Sequence, residues 1–255
     1  MVEVRTVLVV AMAAALTGAC TLATDHVDPG SPDDPAGGSA ADAAPVGGGD
    51  PADAAPVATA TGLLTVAAST PQVGFGEPIE LSGDADWVHW GLDGDVAAYN
   101  HRAGITPSIS NYVQLGDSAL LQTNCCIDTG FSWNDGTPSA TATNAIGGVY
   151  IDTAQTGDGF QFSVPADSTQ RTLLVYAGNW CVREKLQATL SDGSAPAVVD
   201  TSFDVPTAKL ANAIYTITFQ AGAAGQTLDV ALTIVDNHCT TGDVGEVHLF
   251  AAAVR

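Results

Sequence analysis

Basic residues are scarce in this sequence. Only 7 of its 255 residues are Lys or Arg, against 28 Asp or Glu, and the formal net charge at pH 7 is −21. Residues 62–255 alone hold 20 acidic and 6 basic residues. Because phosphate groups are bound by clusters of Lys and Arg, we expect no nucleic acid partner. The same charge argues against direct binding to anionic lipid head groups, and it is compatible with neutral glycans, cations or solubility alone.

Motifs of known catalytic chemistry are also missing. The sequence has no G-x-S-x-G, no H-E-x-x-H and no Gly-rich phosphate loop. We therefore expect no enzymatic activity. A glycoside hydrolase would need two facing carboxylates, and the sequence does not select such a pair among so many acids. By residue type alone, its candidate residues are Glu77, Glu80, Glu184 and Glu246.

No apolar run is long enough to cross a membrane as a helix. Thr6–Leu16 is uncharged but has eleven residues, where a span needs about 20; it suits the apolar region of a signal peptide. Residues 16–20, LTGAC, resemble a bacterial lipobox, with Leu16 four rather than three residues before Cys20. We expect a signal peptide at 1–19, lipidation of Cys20, and a place on the outer surface of the cell envelope, held to the membrane by the lipid only. The alternative is an ordinary secreted protein that is cleaved after Ala19.

The segment after Cys20 has the composition of a linker. Residues 20–61 consist mainly of Ala, Asp, Gly and Pro, contain no aromatic residue, Lys or Arg, and repeat DAAPV at Asp42–Val46 and Asp53–Val57. Such a segment buries too little apolar surface to offset its ordering entropy. We expect a disordered acidic linker that separates the anchored end from a domain at 62–255.

Four cysteines remain in residues 62–255. An even number in an exported protein indicates two disulfides, with three connectivities. Because neighbouring cysteines rarely bridge to each other, we expect Cys125 and Cys126 to pair separately with Cys181 and Cys239, in either combination. Zinc binding is disfavoured because no C-x-x-C spacing is present.

Residues 62–255 read as an all-β domain. Short alternating or β-rich runs are separated by turns of Gly, Pro, Asn and Asp, which is typical of a sandwich or barrel. We expect a single large β-sandwich, either jelly-roll or immunoglobulin-like, and Val182–Leu190, the one candidate helix, is better read as a strand. The runs are Leu63–Ala67, Ile79–Ser82, Trp87–Gly91, Ser108–Leu115, Phe131–Asn134, Gly148–Asp152, Gly159–Val164, Arg171–Trp180, Lys185–Leu190, Val198–Asp204, Ile214–Gln220, Thr227–Val235 and Glu246–Ala252.

Several of these runs resemble a module of secreted, often multidomain bacterial proteins. The shared pattern has variants of DWxHWG, ISNY, FSWxDGTP, VPADxxxRTLxVYxG and LSDGSAP in this order. The resemblance implies an extracellular β-sandwich carried by a bacterial lipoprotein and found beside glycan-active or adhesive modules, with no catalytic residues to carry over. The matching residues are Trp87–Gly91, Ile109–Tyr112, Phe131–Pro138, Val164–Leu173 and Leu190–Pro196.

The stretch DWVHWG, residues 86–91, concentrates rare side chains. In a strand, Val88 and Trp90 share one face, which we expect to lie in the core, while Trp87 and His89 share the other. Aromatic rings on polar strand faces can stack on sugars, so we expect a surface that binds a glycan or cell-surface polymer. The alternatives are rings that fill a core, and a structural or adhesive domain with no small ligand. The candidate ligand residues are Trp87, His89, Tyr112, Tyr150, Tyr176 and Trp180.

Acidic turns beside this stretch suggest a second kind of site. Calcium takes six to eight oxygen ligands, often from loop carboxylates. The spacing matches no EF-hand, however, and Asp-Gly pairs are ordinary turn formers. No other cofactor is expected. The candidate calcium ligands are Asp84, Asp86, Asp93 and Asp95.

Overall fold

The structure is a computed structural model that describes most of the chain after residue 60. The described residues all belong to one compact unit, Ala54–Arg255, and no helix among them is long and apolar enough to span a membrane. The predictions for the signal peptide, Cys20, the linker ahead of residue 61, Cys125 and Cys126 concern residues outside the described part. The described ranges are 61–72, 74–123, 127, 130–152, 155–240 and 244–255, with backbone only for 121–123.

The described chain is almost entirely β, as predicted. Every predicted strand region contains a strand, and Val182–Leu190 is a strand rather than a helix. A 3-10 turn at Leu92–Gly94 is the only helical element in the described ranges. The strands are β1 (Leu63–Ala68), β2 (Ile79–Glu80), β3 (Asp86–Trp90), β4 (Tyr99–Arg102), β5 (Val113–Leu115), β6 (Leu120–Thr123), β7 (Phe131–Trp133), β8 (Gly136–Thr137), β9 (Ala142–Ala145), β10 (Gly148–Ile151), β11 (Gly159–Ala166), β12 (Arg171–Trp180), β13 (Val182–Leu190), β14 (Val198–Asp200), β15 (Leu210–Gln220), β16 (Gln226–Asn237) and β17 (Glu246–Val254).

Three sheets organise these strands. The central sheet has nine strands in the order β1-β15-β12-β17-β3-β4-β8, with β10 paired to β17 and β6 paired to β10. The five-stranded sheet has the order β14-β13-β16-β11-β5, and the small sheet has the order β2-β7-β9. All pairings are antiparallel except that between β2 and β7. The fold is therefore an antiparallel sandwich with a small additional sheet.

The central sheet contributes to a hydrophobic core on each of its faces. The first core joins it to the five-stranded sheet, and alternation along β16 supplies part of this core from fully buried side chains. The second core joins the opposite face of the central sheet to the small sheet. Each such aliphatic side chain contributes roughly 1.5–3 kcal/mol by burial. The inward residues of β16 are Leu228, Val230, Leu232 and Ile234.

A disulfide joins Cys181 to Cys239. Cys181 is the single residue between β12 of the central sheet and β13 of the five-stranded sheet, and it has a positive φ of 45°. Val182 pairs with Asn237 at the end of β16, which brings Cys239 close to the connection between β12 and β13. The prediction that both would pair with Cys125 and Cys126 is wrong. The adjacency of Cys125 and Cys126 does not show which distant segments of the chain the sheets bring together, and the pairing of Cys181 with Cys239 depends on that.

Candidate functional site

Both faces of the DWVHWG strand are buried. Val88 and Trp90 lie in the first core, as predicted. Trp87 and His89 were expected to form a solvent-facing patch, but both side chains are 0% exposed. This prediction is wrong because the second core covers that face of the strand, and a period of two separates the faces without showing what covers each.

His89 is a core residue rather than a surface ligand. Its ring lies 5.3 Å from that of Phe131 and 5.2 Å from that of Trp133, measured between centroids. Burial lowers the pKa of His89 to about 3, against a smaller opposing effect of hydrogen bonding from the imidazole to the Gly147 backbone. The imidazole is therefore neutral at neutral pH, and it has no surface with which to contact a ligand.

Two of the predicted ligand tyrosines also belong to the packing of the cores. Tyr176 is 2% exposed and makes an edge contact with the ring of Phe75 in the second core. Tyr112 is half-buried over the first core, where its ring meets that of Phe160 edge-on. The Tyr112 hydroxyl donates a hydrogen bond to the carbonyl of Val96 over 2.7 Å. The expectation of an exposed Tyr176 is wrong because the face that carries it is covered.

The remaining two predicted rings, Tyr150 and Trp180, lie on one face of the central sheet. Tyr150 on β10 is paired with His248 on β17, and His248 is paired with Gly178 on β12. Trp180 lies two residues beyond Gly178 and is paired with Glu246. Because alternate residues of a strand share a face, these side chains project from the same side of the sheet. We call Tyr150, Trp180, Glu246 and His248 the aromatic platform.

Stacked rings connect the aromatic platform to the second core. The Tyr150 and His248 rings are 5.0 Å apart with 12° between their planes, and the His248 and Phe250 rings are 6.0 Å apart with 18° between theirs. Exposure falls along the stack, from the half-buried Tyr150 to His248 at 1% and Phe250 at 0%. The inner rings therefore fix the orientation of the outer one.

Carboxylates surround the exposed end of this stack. Glu246 Oε2 lies 3.0 Å from His248 Nε2. Partial burial, followed by the negative charges of Glu246 and Asp152, raises the pKa of Tyr150. Both carboxylates are thus close enough to disfavour ionisation of the phenol. The platform combines half-exposed ring surface with hydrogen-bond acceptors and negative charge.

Sequence reasoning did not group these residues. It placed Tyr150 beside Asp152 on one strand but gave no sign that β17 would lie between β10 and β12. The spacing Glu246-x-His248 at the start of an alternating run is the one local signal that two polar side chains share a face. Only the pairing of distant strands brings them to Tyr150 and Trp180.

The predicted calcium ligands do not form a site. No group of three or more His, Cys, Asp or Glu side chains in the described residues could hold a metal ion. Asp84 Oδ1 instead accepts a hydrogen bond from Arg255 Nε over 2.8 Å. Asp86 accepts backbone N–H groups, and Asp95 accepts that of Ala97 within its own turn. The prediction of a calcium site at Asp84, Asp86, Asp93 and Asp95 is wrong because these acids serve ion pairing and turn formation.

Comparisons with known proteins leave the family open. No family model matches the chain, and no curated protein matches it. The enzymatically active domain of tailspike protein 4 of bacteriophage CBA120 is similar at a TM-score of 0.34 and 10% sequence identity, over 58% of this chain and 19% of that one. The chain thus spans about a fifth of that structure, and a similarity of this size carries no functional argument.

Proposed function

We propose that the protein binds a neutral polysaccharide through the aromatic platform. The observation that carries this proposal is the position of Tyr150 and Trp180 on one sheet face, together with Glu246 and Asp152. Half-exposed aromatic rings can stack on the C–H face of a pyranose, and carboxylates accept hydrogen bonds from its hydroxyl groups.

The charge of the platform supports a neutral rather than an acidic sugar. Glu246 and Asp152 stand beside the Tyr150 phenol, and the whole domain is strongly acidic. Uronic acids or sulfated sugars would bring further negative charge to these carboxylates, which is unfavourable. The platform therefore discriminates against acidic sugars by its charge.

Binding to a panel of soluble neutral polysaccharides, by affinity electrophoresis, tests the proposal. We expect Trp180→Ala and Tyr150→Ala each to weaken binding about tenfold or more, because ring truncations at binding sites commonly cost above 1.4 kcal/mol. Val199→Ala is the control, since Val199 is 55% exposed on the five-stranded sheet. No binding by the unmodified protein, or equal binding by all the variants, would refute the proposal.

Tryptophan fluorescence gives an independent readout of the same site. Trp87, Trp90 and Trp133 are at most 2% exposed, whereas Trp180 is half-buried. A ligand on the platform should therefore shield one quenchable indole from acrylamide. Trp180→Phe should remove that quenchable component while the three buried indoles remain.

We also propose that Cys20 anchors the protein on the cell surface and that residues 20–61 act as a spacer. The support is the lipobox-like LTGAC and the acidic Ala/Gly/Pro composition that follows it. Mass spectrometry of the mature N-terminus should find a lipidated Cys20, and Cys20→Ala should release the protein from membranes. An unmodified N-terminus at Cys20 or Thr21 would show ordinary secretion instead.

The burial of Trp87, His89 and Tyr176 favours a second candidate, a structural surface domain without a small ligand. In such a domain the platform rings would serve packing alone. The two candidates differ in the polysaccharide panel, because a structural domain would bind none of its members and alanine at Trp180 would change only stability.

A further inference from the structure

A cleft lies at the opposite end of the sandwich from the aromatic platform. Its volume is about 720 Å³, within the range of roughly 300–1,000 Å³ that small-molecule sites occupy. Val254, at the end of β17, lines the cleft, whereas Glu246 of the platform begins that strand. At about 3.4 Å per residue, the two sites are separated by roughly 27 Å along β17.

The walls of the cleft are mostly apolar. Pro107, Pro165 and Ala224 contribute exposed or half-buried apolar surface to them, from three separate segments of the chain. Among the described residues that line the cleft, none is aromatic. It therefore lacks the ring surface on which a sugar would stack, and it suits a ligand of another class.

Asp86 is the buried polar group of this cleft. The residue is 7% exposed. Its Oδ1 accepts the backbone N–H of Trp87 over 2.8 Å, and its Oδ2 accepts that of Ile109 over 2.7 Å. Each carboxylate oxygen can accept two hydrogen bonds, so each keeps capacity for one more donor. Burial raises the pKa of Asp86 against the opposing effects of these two hydrogen bonds and of the charges of His101 and Arg102.

Among the described residues that line the cleft, no basic side chain pairs with Asp86. Arg171, the one basic residue among the described lining residues, donates from Nη2 to Asp167 Oδ2 over 2.6 Å. His101 and Arg102 act on Asp86 but do not line the cleft. A ligand that brings one positive charge would therefore gain a favourable interaction with Asp86, whereas an anion would be repelled by it.

We propose that this cleft binds a small organic cation, with its ammonium group against Asp86 and its apolar body against Pro107, Pro165 and Ala224. Such a ligand satisfies the free acceptor capacity of the carboxylate and buries its hydrocarbon part. The site is independent of the polysaccharide proposal because it shares no residue with the aromatic platform.

Calorimetric titration of the full chain with hexylammonium, hexanol and hexanoate tests this assignment. We expect saturable binding of hexylammonium, at least tenfold weaker binding of hexanol, and no binding of hexanoate. Asp86→Asn should weaken hexylammonium binding at least tenfold and leave hexanol binding unchanged. Equal affinities for hexylammonium and hexanol, or no saturable binding of hexylammonium, would overturn the proposal.

A second variant keeps the test decisive if Asp86→Asn does not fold. Ala85 is an exposed residue at the rim of the cleft, so Ala85→Trp should narrow the cleft without disturbing a buried side chain. We expect this variant to lose hexylammonium and hexanol binding and to retain polysaccharide binding. Thr201→Trp, at an exposed position outside the cleft, is the matched control. Full hexylammonium affinity in Ala85→Trp would contradict the assignment.

Discussion

The phenol ring of Tyr150 lies nearly parallel to the imidazole of His248, with centroids 5.0 Å apart and 12° between the planes. The two residues are cross-strand partners on β10 and β17. Because His248 is buried and stacked in turn on Phe250, the orientation of Tyr150 is set by the second core. A ring held in this way loses little conformational entropy when it binds a ligand.

The first prediction concerns the charge around this ring. Since the negative charges of Glu246 and Asp152 oppose formation of the Tyr150 phenolate, Glu246→Gln should lower the Tyr150 pKa. Ultraviolet titration checks this, with Tyr150→Phe identifying the contribution of this residue. Glu80→Gln, exposed on β2, should leave the titration unchanged. An unaltered Tyr150 pKa in Glu246→Gln would contradict the geometry of the platform.

The second prediction is loss of stability in acid through His89. Its folded-state pKa is about 3, below the ordinary value of 6.5, so the unfolded chain binds the proton more tightly. The stability contribution is therefore present above pH 6.5 and is lost as pH falls toward 3. Between about pH 7 and pH 4.5 this amounts to about 2.5 kcal/mol.

Urea unfolding of His89→Gln checks this pH dependence. The variant should show a shallower loss of unfolding free energy in acid than the unmodified protein. Val199→Ala, at an exposed position of β14 without an ionisable group, is the control and should keep the original slope. The same slope in His89→Gln and the unmodified protein would show that His89 takes up its proton without unfolding.

The third prediction concerns Glu184, for which we expect stability to fall as the pH rises. This residue is 0% exposed, its Oε2 lies 3.4 Å from the Tyr215 hydroxyl, and burial raises its pKa well above the ordinary 4.5, against smaller lowering effects of Tyr215 and Asn179. The folded state therefore holds the proton more tightly, and stability is lost as pH rises above 4.5. Glu184→Gln, which cannot ionise, should be more stable than the unmodified protein at about pH 8 by roughly 1 kcal/mol or more.

Denaturant unfolding at two pH values measures this difference. The advantage of Glu184→Gln should shrink as the pH falls toward 4.5, because the unfolded chain then takes up the proton that folded Glu184 already holds. Glu80→Gln is the matched exposed variant and should show no such trend. A Glu184→Gln protein that is less stable at both pH values would indicate that the carboxylate is needed for packing.

The fourth prediction concerns the disulfide between Cys181 and Cys239. It closes a loop with a sequence separation of 58 residues, for which loss of chain entropy predicts a stabilisation of about 4 kcal/mol. The double variant Cys181→Ala with Cys239→Ala should lose a free energy of unfolding of that order. The corresponding double serine variant is a second test of the same bond. A loss below about 1 kcal/mol would show that strand pairing and packing alone stabilise the connection between β12 and β13.

The sequence predicted the long strands well because their alternation is set by burial on one face. The run Arg171–Trp180 matches β12 in full, and the alternate residues Phe160, Phe162 and Val164 of β11 are buried. The short strands β4, β6, β8 and β9 were missed. They contain few alternating apolar residues, and pairing with other strands stabilises them instead.

The candidate site was harder to predict than the fold. Alternation separated Trp87 and His89 from Val88 and Trp90, but no local pattern shows that a second core covers the first pair. Likewise, Tyr150 and Trp180 are far apart in sequence and meet only because β10 and β12 both pair with β17. Which strands pair depends on the whole chain, so local periodicity cannot supply it.

The position of β17 has a consequence for local opening of the molecule. One of its edges is paired with β12 along the strand, and its other edge is paired with β10 and then with β3. Every residue of β17 after Glu246 is buried. Its amides should therefore exchange with deuterium only through global unfolding, whereas those of the short edge strand β14 should exchange through small local openings.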